Sequence, residues 1–352
     1  MIRDEVFWAE VERERGVFVF PKLYDDYIFS AASMGLRPLI TLDFGNPIYG
    51  SGAPETPEAL AAWERYVTKV VERYHSVVKH WEVWNEFNIG MGLSLEQKSW
   101  SKAKKAEVYT EILEVTYRAI KRVDPKAMVL GCANSGADPE FVSMVIANGG
   151  LAYMDAISIH PYIYWHTDPS PSGSAYLSLV QERVELIGEM VRAKGGSQTV
   201  WITELGWPTN LGAEGHSEIM QAAYLTQLFT KLAQSKIVEA VFWYNFQDKG
   251  TNELEREHNF GLIKRDLSLK PGYVALSNIT RILRQGNVEL EAETNTLLYS
   301  IEDSFGHKTY IAWAKTGTSS VLIPANGKYT IKKVDGEVRV VDVAEEGLLL
   351  TV

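Results

Sequence analysis

Two apolar segments of this chain each run into a glutamate. They are HWEVWNEFN at 80–88, which contains Glu86, and VWITELGWP at 200–208, which contains Glu204. If both segments are strands of a parallel barrel, the two carboxylates meet where the strands end, which is where barrel enzymes place their chemistry. One acid could then protonate a leaving oxygen while the other attacks or stabilises an anomeric carbon. We therefore predict that Glu86 and Glu204 form a catalytic pair, against the alternative that each is a surface glutamate at a strand end.

The elements that must position these acids alternate regularly along the chain. Helical patterns separate seven strand-like segments, which are 2–8, 37–44, 80–86, 127–133, 154–160, 199–205 and 239–246. Strand–helix alternation with short connections is typical of a parallel sheet covered by helices. No GxGxxG motif follows an early strand, which weakens a dinucleotide-binding interpretation. The pattern predicts an α/β fold, a (β/α)8 TIM-type barrel in which seven strand units are visible.

The pattern changes near the end of the chain. From residue 288 onward, short alternating runs are separated by turn signals at Gly317, Asn326-Gly327 and Asp335-Gly336. We predict a catalytic barrel over 1–284 and a small antiparallel β domain over 285–352.

Composition narrows the classes of partner. The formal net charge is −10 and no Lys/Arg block occurs, so a nucleic-acid partner is not expected. No apolar run reaches the roughly 18 residues of a membrane span, so no membrane partner is expected either. Cys132 is the only cysteine, which leaves the redox compartment open. The start, MIRDEVFW, lacks a signal-peptide core, so a cytoplasmic protein is the default expectation, and a truncated start would leave secretion open.

The two glutamate motifs resemble those of the clan A retaining glycoside hydrolases. WNE and TELGW carry the resemblance, and other segments bring it closest to glycoside hydrolase family 39 and its exopolysaccharide-hydrolase relatives. These segments are RDEVFW, LDFGN, SIHPY, FWYNFQDKG and EHNFGLIKRDLSLKPGYVAL. The resemblance runs from residue 1 to about 284. It implies a carbohydrate substrate, no cofactor and no metal.

The resemblance also implies roles for individual residues. Glu204 matches the nucleophile and Glu86 the general acid/base, with carboxyl groups about 5–5.5 Å apart as retention requires. Asn85 matches the asparagine that binds the sugar 2-hydroxyl, and Arg3 an arginine that keeps Glu204 ionised. For Glu86 we expect a raised pKa, because apolar walls and the charge of Glu204 favour its neutral form.

The remaining substrate-binding predictions follow from the same motifs. His160 and Tyr162 match residues that flank the nucleophile, and Trp243 matches an aromatic floor of the sugar site. Trp207 follows the nucleophile motif, and Asn46 closes LDFGN.

One departure from the family pattern concerns the first strand. RDEVFW is the second barrel strand in the family but the first strand-like segment here, so a first β-strand and helix are absent from the pattern. A missing strand leaves two edges in the barrel wall, which predicts self-association at that edge.

Two alternative functions remain open from the sequence. A non-catalytic or weakly active carbohydrate-binding barrel would keep the layout without turnover. A metal-dependent hydrolase would use His160, His166 and Glu204, although this H-x5-H spacing matches no common zinc site.

Overall fold

The computed structural model describes residues 1–162, 174–212, 215–323, 327–334, 337–343 and 348–352. It divides into two compact units. The first comprises Met1–Tyr162, Glu182–Leu205 and Ile237–Phe242, and the second comprises Ile163–Gln181, Gly206–Lys236 and Trp243–Val352. The division into domains at 284/285 stays a prediction.

A parallel sheet dominates the first part of the chain. In the described residues it has seven strands in the order β1-β2-β3-β4-β5-β6-β7. They are β1 Ile2–Phe7, β2 Pro38–Asp43, β3 His80–Val83, β4 Met128–Ser135, β5 Ala156–His160, β6 Thr199–Leu205 and β7 Val238–Trp243. The seven predicted strand units are thereby confirmed, and each lies beside its neighbour in sequence, as βαβ units require.

Helices lie between these strands and after β7. They are α1 Trp8–Val11, α2 Lys22–Ser33, α3 Pro57–Tyr74, α4 Leu95–Lys98, α5 Lys102–Val123, α6 Pro139–Ala147, α7 Ser174–Ala193, α8 Glu218–Leu232 and α9 Pro271–Ile282. The start of α3 shows how sequence sets a boundary. The Thr56 side chain accepts from the backbone N–H of Ala59, and Pro57 occupies the first turn, where its missing N–H costs nothing. None of the helices in the described ranges is long and apolar enough to span a bilayer.

The strands differ in burial. All six residues of β2 are buried, as expected for a strand covered on both faces. β1 and β7 lie at the ends of the strand order, and both carry exposed residues, such as Ile2 in β1. Self-association at this edge stays a prediction.

Short antiparallel strands occupy the end of the chain, as predicted. They are β8 Val288–Glu293, β9 Thr296–Glu302, β10 Lys308–Ala314, β11 Ser320–Ile323, β12 Gly327–Lys332, β13 Val338–Val343 and β14 Leu348–Thr351. Within the described ranges they pair as β10-β9-β8, β11-β14 and β12-β13. Of the turn signals used to predict them, Asn326, Asp335 and Gly336 lie outside the described residues.

Candidate active site

Glu204 lies next to the end of β6 with hydrogen-bond donors on both oxygens. The Arg3 guanidinium donates to Oε2 through Nη1 at 3.3 Å, and the Tyr162 hydroxyl donates to Oε1 at 2.9 Å. The side chain keeps 17% exposure, so a substrate can still reach it. These two donors orient both oxygens of the Glu204 carboxyl group.

Arg3, on β1, connects three groups through its three nitrogens. Nε donates to Glu82 at 2.6 Å, Nη1 to Glu204 at 3.3 Å and Nη2 to Asn85 Oδ1 at 2.9 Å. Burial acts to lower the pKa of Arg3, but the negative charges of Glu82 and Glu204 outweigh it and raise that pKa above its usual range. The guanidinium is therefore a fixed positive charge that orients Glu204 and Asn85.

Glu86 does not continue strand β3, contrary to our prediction of a strand over 80–86. β3 ends at Val83 because Trp84 and Glu86 adopt positive φ angles of 65° and 49°. An extended strand cannot pass through such angles. The Glu86 backbone N–H instead donates to the carbonyl oxygen of Ala133 on β4 at 2.8 Å, which fixes where its side chain starts.

Both carboxylates approach the same imidazole nitrogen. His160, fully buried at the end of β5, places Nδ1 at 3.0 Å from Glu86 Oε1 and 3.9 Å from Glu204 Oε2. The two oxygens can be no further apart than the sum of these distances, about 7 Å, a bound that includes the retaining separation of about 5–5.5 Å.

The pKa of Glu86 differs from the expectation. Burial does act to raise it, but the hydrogen bond and charge of His160 outweigh burial and hold the pKa of Glu86 below its usual range. The counterpart is seen at the imidazole. Burial lowers the pKa of His160, but the charge of Glu204 and the hydrogen bond to Glu86 raise it by more. The expectation was based on apolar pocket walls and on the charge of Glu204. It did not include a hydrogen bond between the His160 imidazole and Glu86.

Sequence reasoning missed two groups in the hydrogen-bonded network of Arg3 and His160. Glu82 on β3 is fully buried and accepts from Arg3 and from the Thr41 hydroxyl at 2.9 Å. Burial raises the pKa of Glu82, but the charges of Arg3 and His160 and hydrogen bonds from Thr203 and Arg3 lower it by more. Thr203 on β6, 1% exposed, lies with Oγ1 at 3.1 Å from Nε2 of His160. The sequence signal that could have identified Glu82 was the presence of an acid between Trp81 and Val83, in the middle of an apolar strand.

Three other predicted residues, Asn46, Trp207 and Trp243, make contacts of their own. Asn46 is buried, donates to the backbone oxygen of Glu12 at 2.7 Å and caps the short helix Pro47–Tyr49. Trp207 and Trp243 belong to the second unit, where their ring centroids are 5.7 Å apart. Roles for these residues in sugar binding stay predictions.

The described residues hold no group of three His, Cys, Asp or Glu side chains that could bind a metal ion. Of the metal ligands considered from the sequence, His166 lies outside the described residues.

A parallel barrel-type sheet with two carboxylates at its strand ends is the layout of a glycoside hydrolase. The family model for the glycosyl hydrolase catalytic core matches residues 49–268, and the chain belongs to this family. The resemblance to glycoside hydrolases found in the sequence motifs is thereby confirmed.

Individual relatives agree with this classification. A family 39 glycoside hydrolase from the gut symbiont Bacteroides cellulosilyticus WH2 superposes with a TM-score of 0.80 at 25% identity, over 99% of this chain and 72% of that one. A monomeric β-xylosidase from Caulobacter crescentus CB15 shares the fold, with a TM-score of 0.58 at 22% identity over 82% of this chain and 63% of that one. A β-xylosidase of Geobacillus stearothermophilus is 30% identical over 151 residues, which are 38% of this chain and 28% of that protein's length.

Proposed function

We propose that this chain is a retaining glycoside hydrolase that cleaves O-glycosidic bonds of an oligo- or polysaccharide by double displacement. Glu204 is the nucleophile and Glu86 the general acid/base. The observation that carries the proposal is the approach of both carboxylates to Nδ1 of His160, which keeps them within about 7 Å of each other. An inverting pair needs about 6.5–9.5 Å to admit a water, and most of that range lies beyond this bound, which supports retention.

The first step forms a covalent glycosyl-enzyme. A carboxylate oxygen of Glu204 attacks C1 of the sugar, the bond from C1 to the leaving oxygen breaks, and that oxygen takes the proton from Glu86. Arg3 and Tyr162 donate to the two oxygens of Glu204 and orient them. Asn85, itself oriented by Arg3, donates to the sugar 2-hydroxyl oxygen, a contact that strengthens in the transition state.

The second step releases the sugar. Glu86, now a carboxylate, takes a proton from water, the water oxygen attacks C1, and Glu204 leaves as a carboxylate. The product keeps the anomeric configuration of the substrate.

The proposed substrate is an oligosaccharide or polysaccharide. Because two of the relatives are β-xylosidases, β-xylosides are the first compounds to test.

The test uses a panel of nitrophenyl glycosides and polysaccharides with the wild type and three variants. Glu204→Ala should abolish turnover. Glu86→Ala should lower the rate of hydrolysis of substrates with poor leaving groups by about 10²–10⁴-fold and leave that of 2,4-dinitrophenyl glycosides nearly unchanged. Azide should restore the hydrolysis rate of this variant. Glu111→Ala, at an exposed position of α5, is the matched control and should match the wild type.

The stereochemistry is read by NMR of the first product formed. A product of inverted configuration would overturn retention. Wild-type protein that binds a sugar but turns over no glycoside would favour a non-catalytic carbohydrate-binding barrel instead.

A further inference from the structure

A chain of buried polar groups runs behind the two catalytic carboxylates. His160 presents Nδ1 to Glu86 at 3.0 Å and Nε2 to the Thr203 hydroxyl at 3.1 Å. Beyond Thr203 lies Glu82, fully buried and paired with Arg3. Because both ring nitrogens of His160 are engaged, the direction of each hydrogen bond decides which nitrogen carries a proton.

The Thr203 hydroxyl has one proton to give and two neighbours, Nε2 of His160 and the Glu82 carboxylate. A carboxylate can only accept, whereas a ring nitrogen can donate or accept. The Thr203 hydroxyl is among the groups that lower the pKa of Glu82. Oε1 of Glu82 is buried and has no hydrogen-bond partner in the described part of the chain, so it is an open acceptor for the Thr203 proton. Since a bond to an ionised acceptor is the stronger one, the Thr203 proton goes to Glu82.

We propose that Glu82 and Thr203 act as positioning residues that fix His160 as the Nε2–H tautomer, so that Nδ1 and Glu86 share one proton, the proton used for leaving-group protonation. This inference rests on the proposed role of Glu86 as the acid.

The arrangement explains how an acid with a lowered carboxyl pKa can still hold a proton. If the shared proton leaves while Nε2–H is fixed, the lone pair of Nδ1 faces the Glu86 carboxylate, and the two acceptors repel. The pair of His160 and Glu86 therefore keeps its shared proton to a higher pH than it would if the imidazole could change its tautomer. An imidazole free to do so could place its hydrogen on Nδ1 and stabilise the Glu86 carboxylate.

Charged and polar groups face this pair from several strands. The carboxylate of Glu204 on β6 favours the proton, whereas the Arg3 cation on β1 and a hydrogen bond from Ser135 on β4 disfavour it. None of these groups touches Nε2, so the tautomer is set through Thr203.

The test compares Thr203→Val with Thr203→Ser. Valine removes the acceptor for Nε2–H but leaves the contacts of Glu82 with Arg3 and Thr41, so the alkaline limb of kcat/KM on phenyl glycosides should move down by about one pH unit. Serine keeps the hydroxyl and should keep the wild-type limb. The 2,4-dinitrophenolate leaving group departs without help from an acid. On 2,4-dinitrophenyl glycosides, Thr203→Val should therefore not move the alkaline limb of kcat/KM. Thr230→Val, at a buried hydroxyl in α8, controls for the substitution itself.

A second readout is independent of turnover. In ¹⁵N-imidazole spectra of the wild type, Nε2 of His160 should stay protonated across the neutral range, and in Thr203→Val it should lose its hydrogen at high pH. The proposal is overturned by a wild-type Nε2 without hydrogen, by a Thr203→Val limb at the wild-type pH, or by equal shifts in the serine variant. If the wild type hydrolyses no glycoside, the proposed function fails, and the nitrogen signals still decide the tautomer.

Discussion

Arg3→Met should destabilise the protein in a manner that depends strongly on pH. The substitution leaves Glu82, which is fully buried, without the cation at 2.6 Å from its oxygen. Removing one partner of a buried ion pair costs about 3–5 kcal/mol. The loss should appear in the free energy of unfolding measured by urea denaturation at neutral pH, with Arg13→Met, an exposed arginine, as control.

The sign of the pH effect follows from the pKa of Glu82. In the wild type that pKa is lowered, so the pair contributes stability above the ordinary glutamate pKa and loses it as pH falls through the lower folded value. Without Arg3, burial remains and the Glu82 pKa rises, so the variant loses stability as pH increases. The difference in free energy of unfolding between the wild type and Arg3→Met should therefore be small near pH 4 and increase toward pH 7.

A double variant separates this account from simple loss of packing. Arg3→Met combined with Glu82→Met removes both charges, which is often close to neutral, so it should be more stable than Arg3→Met alone at pH 7. The reasoning would be refuted if the difference in free energy of unfolding between the wild type and Arg3→Met were equal at pH 4 and pH 7. It would also be refuted if the double variant were no more stable than Arg3→Met.

Three further predictions concern single side chains. Asn85→Ala should lower kcat/KM by about 10²–10³-fold on ordinary glycosides but have little effect on 2-deoxy glycosides, because the lost contact is to the 2-hydroxyl. Tyr162→Phe removes the donor at 2.9 Å from Glu204, so kcat should fall by about 10–100-fold without loss of folding; an unchanged kcat contradicts this. Asp43 is fully buried, and burial raises its pKa well above the usual value, so its contribution to stability is lost as pH rises; Asp43→Asn should therefore gain stability relative to the wild type between pH 4 and pH 8 in urea denaturation.

The sheet was predictable because its signals are local. Apolar strand runs and caps such as Thr56-Pro57 act over a few residues, and the positions of all seven strands followed from them. The end of β3 was not predictable this way. The letters of HWEVWNE alternate between polar and apolar only as far as Val83, and the chain leaves the extended conformation at Trp84, with a φ of 65°. Alternation records which faces are apolar and does not fix the backbone angles of polar residues at a strand end.

The electrostatics of the site were less predictable because they depend on distant strands. His160 lies 74 positions from Glu86, and Glu82 acquires its role only from Arg3, 79 positions away. A buried strand glutamate is visible in the sequence, but its partner is not. The pKa direction of Glu86 was therefore wrong as an expectation, although the motif that identifies this residue as a candidate acid was readable.

The same contacts imply that the proposed acid becomes a base when Glu204, the proposed nucleophile, is consumed. The charge of Glu204 raises the pKa of His160, whose Nδ1 lies 3.9 Å from Glu204 and shares its proton with Glu86. In the glycosyl-enzyme Glu204 is an ester and its charge is gone, so the imidazole and Glu86 together hold their proton less tightly and can accept one from water. Trapping the enzyme with a 2-deoxy-2-fluoro glycoside should therefore lower the pKa of His160 in ¹⁵N spectra, whereas the control variant Thr230→Val should show the same drop as the wild type. A His160 pKa that does not change on trapping would show that the charge of Glu204 does not raise that pKa, and would refute the reasoning.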